Sequence, residues 1–445
     1  MRTESVPGRA WPWLALALVF VAQLPLVLNP GYFSHDELQW AVHAEAGRWV
    51  SWTDADTFQY RPLTFNLWQW LSRHAFATPQ AFHAVVVALG AANAALAAAL
   101  LRRLGVPGPA ALAGALAFAL GPYAAYVHGW VGTLGDLLWV GCALGCGLAV
   151  TSGLRLPVAA ALVVVLTVTA LLAKEAAVVI PLLLALGAWL LGRDRRRWGI
   201  AAAVAAVPVA AYLAFRAGAL LDAPRTGSQY AINVAHAPLR WFEYQAYPFN
   251  PPVFEVHSAR SRGGMGPRTL VSAALWMTLV AALVRAGWRW AAAFVIGGGI
   301  ALAPVLVLAS ASNQYAYGFA VVTAGVVAGA WPHAPRWGRI VMVTCLLLLV
   351  WHGVNVMRQV RMVGERQAVF SPAVANALSA RPHGPLRLRV LDPEQDWIYQ
   401  RFTHAIPSYR GVAMGDRVQV VADDGDADLG VRADGALVAL PADGR

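Results

Sequence analysis

Adjacent acidic residues, a histidine and an arginine lie in the polar stretch 31–67, directly after the first apolar run of the chain. This stretch contains His35, Asp36 and Glu37 in succession and, further on, Tyr60 and Arg61. A partly desolvated carboxylate that is flanked by another can take a proton from a hydroxyl group. An arginine is suited to a phosphate, because its planar fork donates two parallel hydrogen bonds. These residue types predict acid–base chemistry beside an anionic group.

Other polar residues lie at the ends of later apolar runs. Charged side chains at membrane depth are costly and usually face a cavity or a partner, so a functional site is the default interpretation. A lysine there adds a second cation for a phosphate, acting as a point charge. The predicted catalytic residues are Asp36, Glu37 and Asp136. The predicted substrate-binding residues are His35, Tyr60, Arg61, Lys174, Glu175 and Tyr315.

The composition places these residues in a membrane protein. Of 445 residues, 58% are hydrophobic and 13% are charged, whereas about a quarter of a soluble domain is charged. The net charge of +11 comes almost entirely from arginine, because Lys174 is the only lysine. The arginines lie mostly between apolar runs, which indicates membrane topology rather than nucleic-acid binding. Cys142, Cys146 and Cys345 lie inside apolar runs and are predicted to pack there, without a disulfide or a metal.

The apolar runs are long enough for about eleven membrane-spanning helices. An alternating path puts the basic clusters on one side, which is the cytoplasmic side by the positive-inside rule. The N-terminus is then cytoplasmic, and the polar residues listed above face outward. The arginine bias and the alanine-rich helices are typical of a bacterial inner-membrane protein. The runs are 11–29, 81–101, 109–127, 133–151, 157–173, 176–191, 199–215, 269–284, 290–308, 316–331 and 340–356, and the basic residues are Arg2, Arg9, Arg102, Arg103, Arg155, Arg193, Arg195, Arg196, Arg197, Arg285, Arg289, Arg336 and Arg339.

Two outer loops and a C-terminal domain complete the predicted architecture. Residues 1–357 are predicted to form an all-α transmembrane domain, with a first outer loop at 31–80 and a long outer loop at 218–268. The long loop, which contains Arg260 and Arg262, is predicted to cover the site. Alternating runs at 386–391 and 417–421 predict strands, so residues 358–445 are expected to form a small extracytoplasmic α/β or β domain. The first run lacks a small-residue cleavage site, which favours a retained helix over a signal peptide.

Four short motifs resemble those of the GT-C superfamily of polytopic glycosyltransferases, which use polyprenyl-phosphate sugars. The likeness is strongest to the protein O-mannosyltransferases and the tetratricopeptide-containing O-mannosyltransferases, and looser to the lipid A aminoarabinose transferase. It covers about the first 190 residues by motif and the rest by topology. The motifs are His35-Asp36-Glu37 after the first run, Tyr60-Arg61-Pro62-Leu63-Thr64 with Phe82-His83 downstream, Gly132-Thr133-Leu134-Gly135-Asp136, and Lys174-Glu175 before an apolar helix.

The resemblance implies a GT-C-like fold and inverting transfer of a sugar from a polyprenyl-phosphate donor to a hydroxyl group. The acceptor is a protein, a lipid or a glycan on the outer face of the membrane. Asp36 corresponds to the family's general base, while Arg61 and Lys174 are assigned to the leaving phosphate. Glu37 and Asp136 then orient the acceptor or tune Asp36. The chain departs from the family in two ways. The second acidic motif lacks its arginine before Asp136, and the tail shows no tetratricopeptide repeat, which would have a period of about 34 residues.

Each predicted site residue also has a structural interpretation. Asp36 and Glu37 suit the first turn of a helix for which Ser34 is the N-cap. Asp136 fits a helix start in the same way. Arg61 fits an interfacial anchor, and Lys174 with Glu175 fits a mutual ion pair. Similarly, His83 and His128 are predicted to be packing histidines, and Tyr315 and Tyr317 suit an aromatic belt.

Functions of other classes remain open at this point. A secondary transporter is one, although such proteins usually show internal repeats and polar groups at the membrane midplane. A non-catalytic envelope scaffold or assembly protein is another, and a polysaccharide polymerase or ligase is a related enzyme. The sequence predicts no definite cofactor, and it leaves open whether a divalent metal binds between the carboxylates. The expected partners are the lipid-linked donor, the hydroxyl acceptor and membrane lipid, without nucleic acid.

Overall fold

The computed structural model describes residues 10–56, 59–192, 194–222, 230–256, 266–381, 384–404, 406–421 and 427–440. Within these ranges the chain is an all-α bundle followed by a small mixed domain. The helices are α1 (Ala10–Ala22), α2 (Leu24–Val27), α3 (His35–Glu45), α4 (Pro62–Ala75), α5 (Pro79–Arg103), α6 (Gly108–Ala119), α7 (Pro122–Gly129), α8 (Leu134–Val150), α9 (Leu156–Ala173), α10 (Ile180–Leu191), α11 (Arg195–Phe215), α12 (Ala217–Leu221), α13 (Ala237–Ala246), α14 (Pro267–Ala286), α15 (Trp288–Leu306), α16 (Tyr317–Ala330), α17 (Arg336–Ser379) and α18 (Asp396–Thr403).

The described part of the chain contains eight helices that are long and apolar enough to cross a membrane. A ninth candidate is the pair α6 and α7, which is bent by 58°. The chain bends there because Gly121 and Pro122 interrupt the apolar run, and Pro122 lacks the amide that would continue the helix. Two further apolar helices, Ala10–Ala22 and Glu175–Leu191, are shorter. Each predicted span therefore coincides with an apolar helix, and the total of about eleven spans stays a prediction.

Loops on the predicted outer side contain helices of their own. The first loop holds α3 and α4, where the ring of Trp40 stacks on those of Phe65 and Trp68. The long loop holds α12 and α13. Arg260 and Arg262, which were predicted to cover the site from that loop, lie outside the described residues, as do Arg2, Arg9 and Arg193. The three cysteines are free, in agreement with their predicted packing role.

Helix α17 continues well past the membrane-spanning run that was predicted to end at Val356. It extends to Ser379, so the predicted domain boundary at 357–358 falls inside one continuous helix. The extension forms because apolar residues recur on one face at helical spacing. Those residues are buried, and they are Val360, Val363, Phe370, Val374 and Leu378.

A small sheet follows α17. Its strands are β1 (Leu386–Val390), β4 (Val418–Val421), β5 (Leu429–Val431) and β6 (Leu437–Val438), and their order is β4-β1-β5-β6. Strand β1 pairs in parallel with β4 and β5, while β6 is antiparallel to β5. A hairpin of β2 (Ser408–Tyr409) and β3 (Val412–Ala413) lies beside it. The strands predicted at 386–391 and 417–421 are confirmed as β1 and β4.

Helix α18 contacts both α17 and the sheet of this domain through Tyr399. The ring of Tyr399 lies 5.0 Å from that of Phe370, and its hydroxyl group donates to the carbonyl oxygen of Arg432 at 2.9 Å. Both rings are buried. This packing holds α18 beside the start of α3, where the predicted acidic motif lies.

Candidate functional site in the first loop and at the adjoining helix ends

The first loop is held against α17 by close backbone packing. A Cβ on Gly31 would lie 2.1 Å from the carbonyl oxygen of Gly364, and a Cβ on Gly364 would lie 2.2 Å from the side-chain oxygen of Asn29. The amide of Tyr32 donates to the side chain of Gln367 at 2.9 Å. His83 also approaches the carbonyl oxygen of Gly31, at 2.9 Å, so this predicted packing histidine has a hydrogen-bond partner. Helix α17 thus fixes where α3 begins.

Replacing Gly364 by alanine is expected to displace this loop, because the added methyl group would lie within 2.7 Å of the side-chain amide of Asn29, which is itself buried. Overpacking of this kind costs about 1–3 kcal/mol of unfolding free energy. Thermal unfolding of purified protein measures the loss. The matched control is Gly199→Ala in α11, where a Cβ meets nothing within 4 Å and helix propensity favours alanine. Equal stability of the two variants would contradict this packing.

Glu37 anchors the first turn of α3 rather than facing a ligand. One of its carboxylate oxygens accepts the amide of Ser34 at 2.5 Å, and the other accepts the amide of Val131 at 3.1 Å. The residue is buried. The N-terminal interpretation of this acid is therefore confirmed, and the predicted catalytic assignment gives way to a positioning one. Both oxygens are occupied by backbone donors, which joins the first loop to the segment before α8.

The ionisation of Glu37 should lower the stability of the protein as the pH rises. Burial raises the pKa of Glu37 to about 8 from 4.5, although the amides of Ser34 and Val131 oppose the shift. The folded state holds the proton of Glu37 more tightly than the unfolded state does. The resulting stabilisation of the folded state is complete below pH 4.5 and is lost as the pH rises to about 8. The change amounts to at most about 5 kcal/mol. Unfolding of wild type and Glu37→Gln between pH 5 and 9 tests it, and parallel pH profiles would rule out this contribution.

Asp36 lies beside Glu37 but points to a different set of groups. Its carboxylate is 3.1 Å from Nε2 of His35, and about a third of the side chain (32%) is exposed. The ring of His35 packs edge-on against His404, with centroids 5.3 Å apart. Burial lowers the pKa of His35, while the neighbouring Asp36 charge acts in the opposite direction. Asp36 is thus an accessible carboxylate in the first turn of α3, and it lies beside an imidazole whose pKa is lowered.

Arg401 of α18 completes this group. Its guanidinium lies 4.3 Å from the ring centroid of Phe33, and its Nε donates to the hydroxyl group of Ser34 at 3.3 Å. A terminal nitrogen is 3.7 Å from the carboxylate of Glu255, in the long loop. The charge of Asp36 also acts on Arg401. We name the set His35, Asp36, Glu255, Arg401 and His404 the loop cluster.

A second set of charged residues lies at the ends of the neighbouring helices. Lys174 pairs with Asp136 at 2.5 Å, and both side chains are buried. Arg61 binds both carboxylate oxygens of Glu175, with its Nε at 2.7 Å. Lys174 and Glu175 therefore pair with partners from other helices, and the predicted mutual ion pair is wrong. We name Arg61, Asp136, Lys174 and Glu175 the ion-pair quartet.

Local structure explains how the quartet assembles. Helix α9 ends at Ala173, whose carbonyl oxygen accepts the hydroxyl group of Thr64 in α4 at 2.7 Å. Lys174 is then in an extended conformation, which turns the chain before the next helical segment. Arg61 precedes Pro62 at the start of α4, where the proline excludes a helical conformation for the residue before it. Asp136 lies in the first turn of α8.

The two predicted tyrosines have different surroundings. The ring of Tyr315 lies 5.5 Å from Nζ of Lys174, so Tyr315 belongs with the quartet. Tyr60 instead donates its hydroxyl group to the carbonyl oxygen of Trp52 at 2.5 Å and packs on Phe215. It supports the first loop, and its predicted substrate contact stays a prediction. Tyr317 is buried and bonds His128 at 2.9 Å, so it lies in the core rather than in an aromatic belt.

Apart from Glu37 and Tyr60, the predicted residues thus fall into two groups. The described ion pair of Asp36 lies within the loop cluster, and those of Arg61 and Lys174 lie within the quartet. A short segment connects the groups, since Val131 binds Glu37 and leads directly into α8, which bears Asp136. The indole nitrogens of Trp68 and Trp130 are buried beside this segment without a hydrogen-bond partner.

Sequence reasoning missed Arg401, Glu255 and His404, because they are far from the first loop along the chain. The only sequence signal was the helical spacing of Ile398, Tyr399 and Phe402 in α18, whose burial turns Arg401 toward the loop. Among the described residues, no group of three or more His, Cys, Asp or Glu side chains is placed to hold a metal ion. The described part of the chain therefore offers no set of ligands for the divalent metal that the sequence analysis left open.

Comparison of the chain with protein-family models, with curated proteins and with solved structures finds no match.

Proposed function

We propose that the chain is an inverting glycosyltransferase that moves a sugar from a polyprenyl-phosphate donor to a hydroxyl acceptor at the outer face of the membrane. One observation carries the proposal: the helix that bears an accessible carboxylate is joined, through the Glu37–Val131 hydrogen bond, to the segment that leads into a buried set of paired cations. Asp36 supplies the first, and Arg61 with Lys174 supplies the second. A group-transfer reaction that needs one base and one stabilised leaving group requires this combination.

The quartet has the properties of a phosphate site. Glu175 occupies Nε and one terminal nitrogen of Arg61, so the other terminal nitrogen keeps its N–H groups for a ligand. Lys174 has three donors, of which Asp136 takes one. The paired carboxylates hold both cations in place before a substrate arrives. Preorganised charges of this kind stabilise negative charge that develops in a transition state, especially where water is excluded.

Asp36 is assigned as the general base. It takes the proton of the acceptor hydroxyl, whose oxygen forms a bond to the anomeric carbon of the sugar. The bond from that carbon to the phosphate oxygen breaks, and its electron pair leaves with polyprenyl phosphate. A single displacement inverts the anomeric configuration. The donor phosphate would lie at the quartet, with its sugar directed along the Val131 segment toward Asp36.

Release of polyprenyl phosphate tests this proposal. The purified protein, in lipid nanodiscs, is incubated with a panel of polyprenyl-phosphate sugars and a lipid-free envelope extract as acceptor source. We expect time-dependent release of polyprenyl phosphate with at least one donor, and loss of that release in Arg61→Ala. Failure to turn over every donor, or full activity of the Arg61 variant, would contradict the proposal.

A membrane transporter is the second candidate function. The bent pair α6 and α7 favours it, because discontinuous helices are common at transporter binding sites. However, the charged residues described above lie at helix ends, whereas transporters bind substrates near the membrane midplane. The same nanodisc experiment separates the two functions, because a transporter leaves the donor chemically unchanged.

A further inference from the structure

A cavity of about 810 Å³, lined by both polar and apolar side chains, opens between the first loop, the long loop and the C-terminal domain. His35 lines one side of it, and the carboxylate of Asp36 lies 3.1 Å from that imidazole. Arg366 of α17 and Arg401 of α18 line other sides. The cavity therefore borders His35, the imidazole beside the carboxylate to which we assign the role of base, and it extends along the part of α17 that follows the apolar run.

The charges around this cavity are balanced. Two arginines, Arg366 and Arg401, face two glutamates, Glu255 and Glu394. Glutamine side chains, which both donate and accept hydrogen bonds, also line the cavity. They come from α17, from the turn before α18 and from α18 itself, and are Gln359, Gln395 and Gln400. A lining of this type suits a ligand with many uncharged donor–acceptor groups, whereas an anionic lipid head group requires an excess of basic residues.

Aromatic rings form a continuous wall from the cavity to the first loop. The ring of Trp397 lies 6.2 Å from that of Phe254, and Phe254 lies 5.8 Å from Phe33. Phe33 directly precedes Ser34 and packs against Trp130 at 6.0 Å. Both Trp397 and Phe254 line the cavity. Aromatic faces beside planar hydrogen-bonding groups match a sugar ring, which has apolar C–H faces and hydroxyl groups at its edge.

We propose that this cavity binds the acceptor, and that the acceptor is a neutral glycan. The inference rests on the proposed transferase function and narrows it to one class of substrate. The glycan stacks a sugar ring on Trp397 and exchanges hydrogen bonds with the glutamines and with the Arg401–Glu255 pair. Its terminal hydroxyl group reaches Asp36 past His35. The C-terminal domain is then part of the active site, because it supplies Trp397 and Arg401.

Binding measured without any donor tests this inference. Saturation-transfer NMR on the full chain in nanodiscs is recorded with neutral gluco-, manno- and galacto-hexaoses, a Ser/Thr-rich peptide and a phosphorylated hexasaccharide. We expect one neutral hexaose to bind, and Trp397→Ala to weaken it by about tenfold. Gln400→Ala, at an exposed side chain, should weaken it without any change in thermal stability. Trp70→Phe is the matched control, since Trp70 is 51% exposed and lies in α4, outside the cavity.

Binding of the peptide or the phosphorylated sugar alone would overturn the inference. Absence of hexaose binding, or unchanged binding in both cavity variants, would overturn it as well. Donor turnover distinguishes this failure from failure of the transferase proposal. If polyprenyl phosphate is released but no neutral hexaose binds, the acceptor inference alone is wrong. If a hexaose binds at Trp397 but no donor is turned over, the transferase proposal is the part that fails.

Discussion

Replacing Asp36 by asparagine is expected to abolish sugar transfer while the protein stays folded. Removal of a general base lowers a rate by about 10²–10⁴-fold. Asparagine keeps the shape and still suits the start of a helix, so the free energy of unfolding should change little. A third of the Asp36 side chain is exposed, and its close partner is His35. The measurement is the rate of polyprenyl phosphate release, together with the thermal unfolding temperature.

The control for this variant is Glu45→Gln at the other end of α3. Glu45 is exposed, so the change removes one negative charge from the same helix without touching the loop cluster. It should retain wild-type activity. Near-normal transfer by Asp36→Asn would remove Asp36 from the role of base. Equal loss in both variants would trace the effect to the charge of the helix rather than to one carboxylate.

Breaking the Lys174–Asp136 pair is expected to have the largest effect on stability. Lys174→Met leaves the carboxylate of Asp136 buried without its partner, because both side chains are almost fully enclosed. Loss of one member of a buried pair costs about 3–5 kcal/mol. The double variant Lys174→Met with Asp136→Leu removes both charges and should return close to wild-type stability. Thermal unfolding of the single and double variants measures both changes.

Activity separates the structural contribution of Lys174 from its proposed role in phosphate binding. The double variant should be folded yet inactive, since it lacks a cation of the quartet. Arg361→Met serves as the control, because Arg361 pairs with Glu365 at an exposed position and such pairs contribute about 0–1 kcal/mol. A double variant that transfers sugar at the wild-type rate would show that Lys174 is structural only.

The helical framework could be predicted from the sequence because membrane-spanning helices depend on local composition. Runs of apolar residues bounded by arginines coincide with α5, α8, α9 and α11, whose bounds match to within a few residues. The strands β1 and β4 were likewise visible, since alternation of apolar and polar residues is a local property. The end of α17 was missed, because the run of apolar residues stops at Val356 while amphipathic spacing continues.

Side-chain partners were less predictable, because they depend on how distant helices pack. Lys174 and Glu175 are neighbours in sequence, which predicts a mutual pair, but the extended turn at Lys174 sends them to Asp136 and Arg61. Glu37 is predicted from the sequence to be catalytic, yet both of its carboxylate oxygens accept hydrogen bonds from backbone amides. Arg401 joins the first loop only through the folding of the C-terminal domain, and the apolar spacing in α18 indicates the buried face of that helix but not this contact.

The position of a bound lipid phosphate tests the proposed site most directly. Cryo-electron microscopy of the protein in nanodiscs with a non-hydrolysable polyprenyl-phosphonate sugar would locate both ends of the donor. We expect the phosphonate within hydrogen-bonding distance of Arg61 and Lys174, and the sugar between the quartet and the carboxylate of Asp36. A phosphonate bound elsewhere, or a sugar directed away from Asp36, would contradict the proposed transferase mechanism.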